Sequence, residues 1–212
     1  MTSRVLDLIA EGRDVALVSD AGTPLICDPG FDLMRALWKR KLHVIPVPGP
    51  SAITTILSVA PIPNHDFRFV GFIPARARAR EDRLKQLLID GSSILFFETA
   101  RRLSNTLDAL CKLEANRRQI FIARELTKIH ESLYFGSVEG VRDEIASNEQ
   151  VRGEIVCLLG GTTKVLRADV DSTLQVLLAE LAPTQAARLA AKITGETRAR
   201  AYKRALVLTS NG

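Results

Sequence analysis

Long apolar runs are what this sequence has least of. No window of its 212 residues approaches the roughly 20 apolar residues of a membrane-spanning helix, and residues 1–11 lack the apolar core of a secretory signal. A cytoplasmic protein with no membrane partner is expected. Cysteine is scarce as well: Cys27, Cys111 and Cys157 are odd in number, far apart and in no CxxC pattern. That argues against a disulfide framework and a zinc site and for reduced thiols. His43, His65 and His130 each stand without a second ligand at metal spacing, so no metal is expected. GxGxxG and Walker A motifs are absent, which disfavours dinucleotide and P-loop sites, and Ser51 lies in GPSA rather than GxSxG, against nucleophilic hydrolysis. There is no internal repeat and no low-complexity tract.

What is present is a globular composition, 46% apolar and 25% charged, long enough for one large domain or two smaller ones. The net charge of +5 is concentrated at the end. From Pro183 onward, Arg188, Lys192, Arg198, Arg200, Lys203 and Arg204 face Glu196 alone among the acids. Such a tail suits a polyanionic partner, or it is a solvated helix face that keeps the protein in solution.

Apolar runs alternate with helix-period segments, the pattern of an α/β fold with mainly parallel strands. Strands are expected at 14–19 (DVALVS), 43–47 (HVIPV), 67–72 (FRFVGF), 93–98 (SILFFE), 119–124 (QIFIAR) and 154–159 (EIVCLL). Helices are expected at SRVLDLIAEG, FDLMRALWKRK, SAITTILSVA, REDRLKQLLID and RRLSNTLDALCKLEA. The proline-rich APIPNHD (60–66) reads as a connection between lobes, dividing a first α/β lobe at 1–64 from a second at 65–163. Beyond Gly160 and Gly161 the composition turns to Ala- and Leu-rich helices, giving a three-helix domain at 168–212. Its middle helix starts at Pro183 and stops at Gly195. With only two expected strands the first lobe looks incomplete, because a two-stranded sheet is marginal alone.

Two loops could hold a ligand. Ser19–Gly30 (SDAGTPLICDPG) follows the first expected strand, and PVPGPS (46–51) follows the second, with Ser51 placed to cap the next helix. In open α/β sheets, ligands sit at such carboxyl ends. Turn-building alone would also account for the Gly and Pro residues.

Taken together, VSDAGTPLICDPG, PVPGPSAITTILS, FVGFIPARARAREDRL, LFFETARRLSNTLDAL, IARELTKIHES and RGEIVCLLGG resemble, in order and spacing, the ribosomal RNA small subunit methyltransferase I family. That family belongs to the tetrapyrrole-methylase-like class of S-adenosylmethionine enzymes. The resemblance implies two α/β lobes plus a C-terminal helical domain, a homodimer, and 2'-O-methylation of a cytidine in the decoding region of 16S rRNA, free or in the 30S subunit. It implies a cofactor cleft lined by Asp20, Ala21, Gly22, Thr23, Ser51, Ala52, Phe97, Gly153 and Glu154. It also implies an upstream segment with a first strand and a GTPIGN-like loop, and a proline where this chain has Ala100.

Methyl transfer from a sulfonium needs alignment of the acceptor oxygen and handling of its proton, and no metal. Glu98, Glu125 and Lys128, at expected strand ends, are the candidates for that task; for Arg124, Glu125 and Lys128 the alternative is a surface ion-pair network. Phosphate contacts are expected from Arg76, Arg78 and Arg80 and from Arg198, Arg200, Lys203 and Arg204, the last four on the second helix of a helix-turn-helix-like pair. A small-molecule methylase of the same class and a noncatalytic nucleic-acid-binding protein are the competing functions.

Overall fold

A computed structural model describes residues 2–89, 91–147, 152–162 and 170–210. They fall into two compact units, Met1–Lys85 with Ser92–Gly161, and Gln86–Gly91 with Thr162–Gly212. Residues 1–64 and the second lobe therefore group together, and the expected boundary residues 163 and 168 lie outside the described residues, as do 211 and 212.

The first unit is built on a five-stranded sheet. Its strands are β1 (Phe67–Phe72), β2 (Ser93–Thr99), β3 (Gln119–Arg124), β4 (Ser132–Ser137) and β5 (Glu154–Leu159), in the order β1-β2-β5-β3-β4. Helices α1 (Thr2–Ala10), α2 (Phe31–Lys39) and α3 (Ala52–Val59) precede the sheet; α4 (Ala77–Leu88), α5 (Ala100–Lys112) and α6 (Val138–Ala146) lie between strands. The mainly parallel sheet expected from the alternating pattern is corrected to a mixed one. Only β1 and β2 run parallel, and the β2/β5, β5/β3 and β3/β4 pairs are antiparallel. The chain explains this: β1 and β2 are joined through the crossover helix α4, whereas residues 125–131 are too few for the dozen or more that a parallel return requires.

Packing covers both faces of the central strand. Val156 and Leu158 join Ile56 of α3, Leu95, Phe121 and Ala123 in one buried cluster. Ile155, Cys157 and Leu159, which alternate with them and so point to the other face, are buried too. On α5 the buried stripe is Leu103, Thr106, Leu107 and Leu110, the i, i+3, i+4, i+7 spacing of an amphipathic helix. Burial of a side chain such as Ile56, which has no exposed area, stabilises by about 1.5–3 kcal/mol. That anchor fixes α3, and with it the loop that leads into α3, on the sheet.

The expected strands at 14–19 and 43–47 do not form. Both segments are without ladder pairing, and several of their apolar side chains stay in solvent, Val18 at 81% and Val47 at 84% exposure, while Val44 packs on α1 and α2. An apolar run becomes a strand only where a neighbour completes its hydrogen bonds, and these two have none. Near them α1 and α2 make a small separate core of Leu6, Leu33 and Leu37.

The second unit holds α7 (Val170–Leu178), α8 (Pro183–Thr194) and α9 (Arg198–Ser210). Leu174, Ala186, Ala187, Ala190, Ala201 and Ala205 form its core. Alanine at these positions lets helix backbones approach closely. Proline opens α8, and Gly195, left-handed at φ 67°, closes it, as the sequence indicated.

Candidate active site

Strand register gathers the chemistry at one rim of the sheet. Phe72 pairs with Phe97, Thr99 with Glu154, and Arg124 with both Ile155 and Ser132. The carboxyl ends of β1, β2 and β3 thus stand beside the amino ends of β4 and β5. At the end of β1 the register slips between Phe69 and Phe72, and Gly71 takes φ 69°. A Cβ on Gly71 would come within 3.1 Å of Cys27 Sγ, so the Ser19–Gly30 loop rests against this rim. The two expected ligand loops are also joined to each other, since Thr23 Oγ1 donates to the Pro50 carbonyl at 3.0 Å.

Asp20, Ala21, Gly22 and Thr23 are exposed on the first loop, and space in front of Gly22 is open, with nothing within 4 Å of a built Cβ. Ser51 occupies the N-cap position of α3 but its side chain makes no capping bond; its carbonyl instead accepts from Thr55 N–H at 3.0 Å and Thr55 Oγ1 at 2.8 Å. Ala52 packs against the sheet cluster. Phe97 lies edge-on to Phe69 and Phe72, with centroids 5.0 and 5.5 Å apart, forming an aromatic patch at the same rim.

The three expected catalytic groups part company here. Glu98 is buried at 1% exposure, and both its carboxylate oxygens accept hydrogen bonds. Oε1 accepts from Thr99 N–H and Arg102, both at 2.8 Å, and Oε2 from the Thr106 hydroxyl at 2.8 Å. Of the three candidates for handling the acceptor's proton or charge, Glu98 is the one whose side chain turns into α5, bonding Arg102 and Thr106, rather than out to the rim.

Glu125 and Lys128 do come together, and Glu154 joins them. Lys128 Nζ donates to Glu125 Oε1 at 3.1 Å and to Glu154 Oε2 at 2.9 Å. Glu125 Oε1 also accepts from Glu154 N–H at 2.6 Å, and Glu125 N–H donates to the Glu154 carbonyl at 2.9 Å. That backbone donor, with Lys128 behind it, holds the Glu125 carboxyl below its ordinary value. The bond to Glu154 in turn raises the Lys128 ammonium. Gly153, at φ 101°, lies under this arrangement so closely that any Cβ would overlap the Glu125 carboxylate. The result is an ammonium, 46% exposed, paired with two carboxylates.

Residues 1–142 match the family model for tetrapyrrole (corrin/porphyrin) methylases, and residues 164–209 match that for the RsmI C-terminal HTH domain. Ribosomal RNA small subunit methyltransferase I of Xylella fastidiosa (strain Temecula1) is 40% identical over 206 residues, 95% of this chain and 76% of that protein. The protein of that name from Escherichia coli O157:H7 is 38% identical over 206 residues, 95% of this chain and 72% of that one. The chain belongs to the ribosomal RNA small subunit methyltransferase I family. Its fold is that of the solved methyltransferase CobJ, with a TM-score of 0.59 at 21% identity over 76% of this chain and 70% of that one.

Within this family member the expected phosphate-binding arginines are not equivalent. Arg76 and Arg78 are exposed at the start of α4, but Arg80 is corrected to an interior residue: it is 7% exposed and donates to the Ala75 carbonyl at 3.1 Å. It lies four, seven and eight positions before Leu84, Leu87 and Leu88, all buried, and so falls on the face of α4 that packs inward. In the second unit Arg198, Arg200, Lys203 and Arg204 are all exposed on α9. Arg200 pairs with Glu196 at 3.3 Å, and Arg204 grips Asp171 of α7 with both prongs of its guanidinium. Arg204 thus contributes first to holding α9 on α7.

Sequence reasoning missed β4 and α6 altogether, and with them what frames the far side of the rim. Both had signals. SLYFGS carries Leu133 and Phe135 in alternation, and Val138, Val141 and Ile145 are the buried stripe of α6. Ser137, whose Oγ accepts from Gly140 N–H, separates them as a helix cap.

Proposed function

We propose that this chain transfers a methyl group from S-adenosylmethionine to the 2'-hydroxyl of a cytidine in the decoding region of 16S rRNA, acting as a homodimer on the free RNA or the small subunit. The observation that carries this reading is the rim itself. An open Gly- and Pro-shaped loop, tied to a second loop, rests at the same edge of the sheet as a fixed ammonium.

The residues fit a compact nucleoside and amino acid. Asp20, Ala21 and Gly22 offer exposed backbone and a carboxylate, Ser51 a hydroxyl not used in capping, and Phe97 an aromatic edge. Together with Thr23, Ala52 and the chain at Gly153 and Glu154, these would hold the cofactor. When bound, S-adenosylmethionine supplies an activated methyl on sulfur. The protein's own part is then to orient the ribose and to stabilise charge on its 2'-oxygen. Lys128 suits the second task as a cation, because its raised pKa keeps the proton on Nζ. Glu125 and Glu154 hold that ammonium in place; with its carboxyl lowered, Glu125 is a weak base. Arg76 and Arg78, and on α9 Arg198, Arg200 and Lys203, are proposed to meet phosphates.

Incubating the protein with methyl-labelled S-adenosylmethionine and either 16S rRNA or 30S subunits, followed by nucleoside analysis, tests this directly. Label in 2'-O-methylcytidine is expected. Label in a base, or in a tetrapyrrole and not in RNA, would replace the reading.

A further inference from the structure

The molecule carries three features that the proposed function does not use: the clamp around Arg124, the buried Arg80, and the apolar groove of the second unit lined by Leu178, Leu181, Pro183 and Leu208. The first is carried furthest, by four mutually consistent observations. Arg124 ends β3 and pairs with Ser132 across one neighbour and Ile155 across the other. From there its Nε donates to the Arg152 carbonyl at 2.6 Å, and one terminal nitrogen donates to the His130 carbonyl at 3.1 Å and to Ser132 Oγ at 3.3 Å. A single guanidinium thereby spans the far end of the 125–131 loop and the chain just ahead of Gly153. The loop it holds is strained, with Glu125 at φ 49° and Thr127 at φ 68°, a region that side-chain-bearing residues occupy only when surroundings impose it. Within the loop, Thr127 N–H donates to Glu131 Oε2 at 2.6 Å and Lys128 N–H to the Glu125 carbonyl at 2.9 Å.

We propose that Arg124 is a positioning residue for methyl transfer: it ties the 125–131 loop to the segment entering β5, so that Lys128 is delivered to the rim in one geometry. This deepens the reading given above and rests on it for the role of Lys128. Arginine is required because its planar fork reaches acceptors in different directions at once, whereas a lysine ammonium on a flexible stem would satisfy one of them and leave the others.

The test uses Arg124→Lys and Arg124→Ala in the whole chain, with two independent readouts. Backbone hydrogen exchange comes first: in both variants the amides of Thr127, Lys128 and Glu131 are expected to exchange at least ~10-fold faster while those of β2 and β5 keep their protection, which also shows that the variants fold. Single-turnover methyl transfer to rRNA comes second: both variants should lose ~10-fold or more in rate with less than ~3-fold change in KM, and lysine should not rescue. In a Lys128→Ala background, Arg124→Ala should cost no more than ~2-fold further, the mark of two residues acting as a unit. Unchanged exchange in the loop overturns the proposal, as does lysine rescue or a fully additive loss. If the unaltered protein moves no methyl group to rRNA, the functional reading fails while the exchange measurement still decides the clamp.

Discussion

The two sides of the proposed site both include short apolar runs and differ in what surrounds them. On one side, β3 and β5, which lead into the rim, sit inside a five-stranded sheet with a ladder partner on each flank. On the other, residues 14–30 and 43–51 are extended segments and turns without ladder partners, with Ile45 and Val47 in solvent. Their fixed points are few: the Thr23–Pro50 bond, Cys27 against Gly71, and α3 seated on the sheet through Ile56. The lesson is that precision at the rim comes from the sheet, whereas the loop side has room to adapt to what it holds.

Substitutions at matched points sharpen the contrast. The largest effect is expected at Gly153, on the rigid side. Gly153→Val places side-chain atoms where the Glu125 carboxylate lies and forces a β-branched residue to φ 101°, a strain of about 1–3 kcal/mol before the overlap is counted. Methyl transfer should fall at least ~100-fold, the scale expected when a site is misplaced by about 1 Å; a single-turnover assay reads this. On the loop side, Thr23→Val removes one exposed hydrogen bond, worth about 0.5–1.5 kcal/mol. Calorimetric titration with S-adenosylmethionine should show affinity weakened by no more than ~10-fold, with the melting temperature nearly unchanged.

The smallest effect is that of pH. Glu125 has a folded pKa below its ordinary 4.5, so its contribution is complete above that value and is lost only as pH falls through the lowered one. Lys128 has a folded pKa above its ordinary 10.5, so its contribution is complete below that value and is lost as pH rises through the raised one. Loop protection measured by hydrogen exchange, corrected for intrinsic rates, should therefore be flat between about pH 5 and 10. A transition inside that window would show that another group controls the cluster.

The sheet strands at 67–72, 93–98, 119–124 and 154–159 were legible because each is a short apolar run bounded by turn residues. The runs at 14–19 and 43–47 carry the same signal, and nothing local distinguishes them, since pairing is decided by partners elsewhere in the chain. Glu98 illustrates the same limit for chemistry. A carboxylate at a strand end reads as a catalytic acid or base, and only the three-dimensional placement of Thr106 and Arg102 shows its oxygens to be taken. The sequence also separated Lys128 from Glu154 by 26 positions, so that their pairing emerged only with the register of β3 and β5.

The central claim is that Lys128, fixed by Glu125 and Glu154, is the charge on which transfer depends. Single-turnover methylation of 16S rRNA by Lys128→Ala, at saturating S-adenosylmethionine, tests it most directly. The account predicts a rate lowered at least ~10-fold, in line with the loss of one preorganised charge, with cofactor affinity retained. An unchanged rate would contradict it.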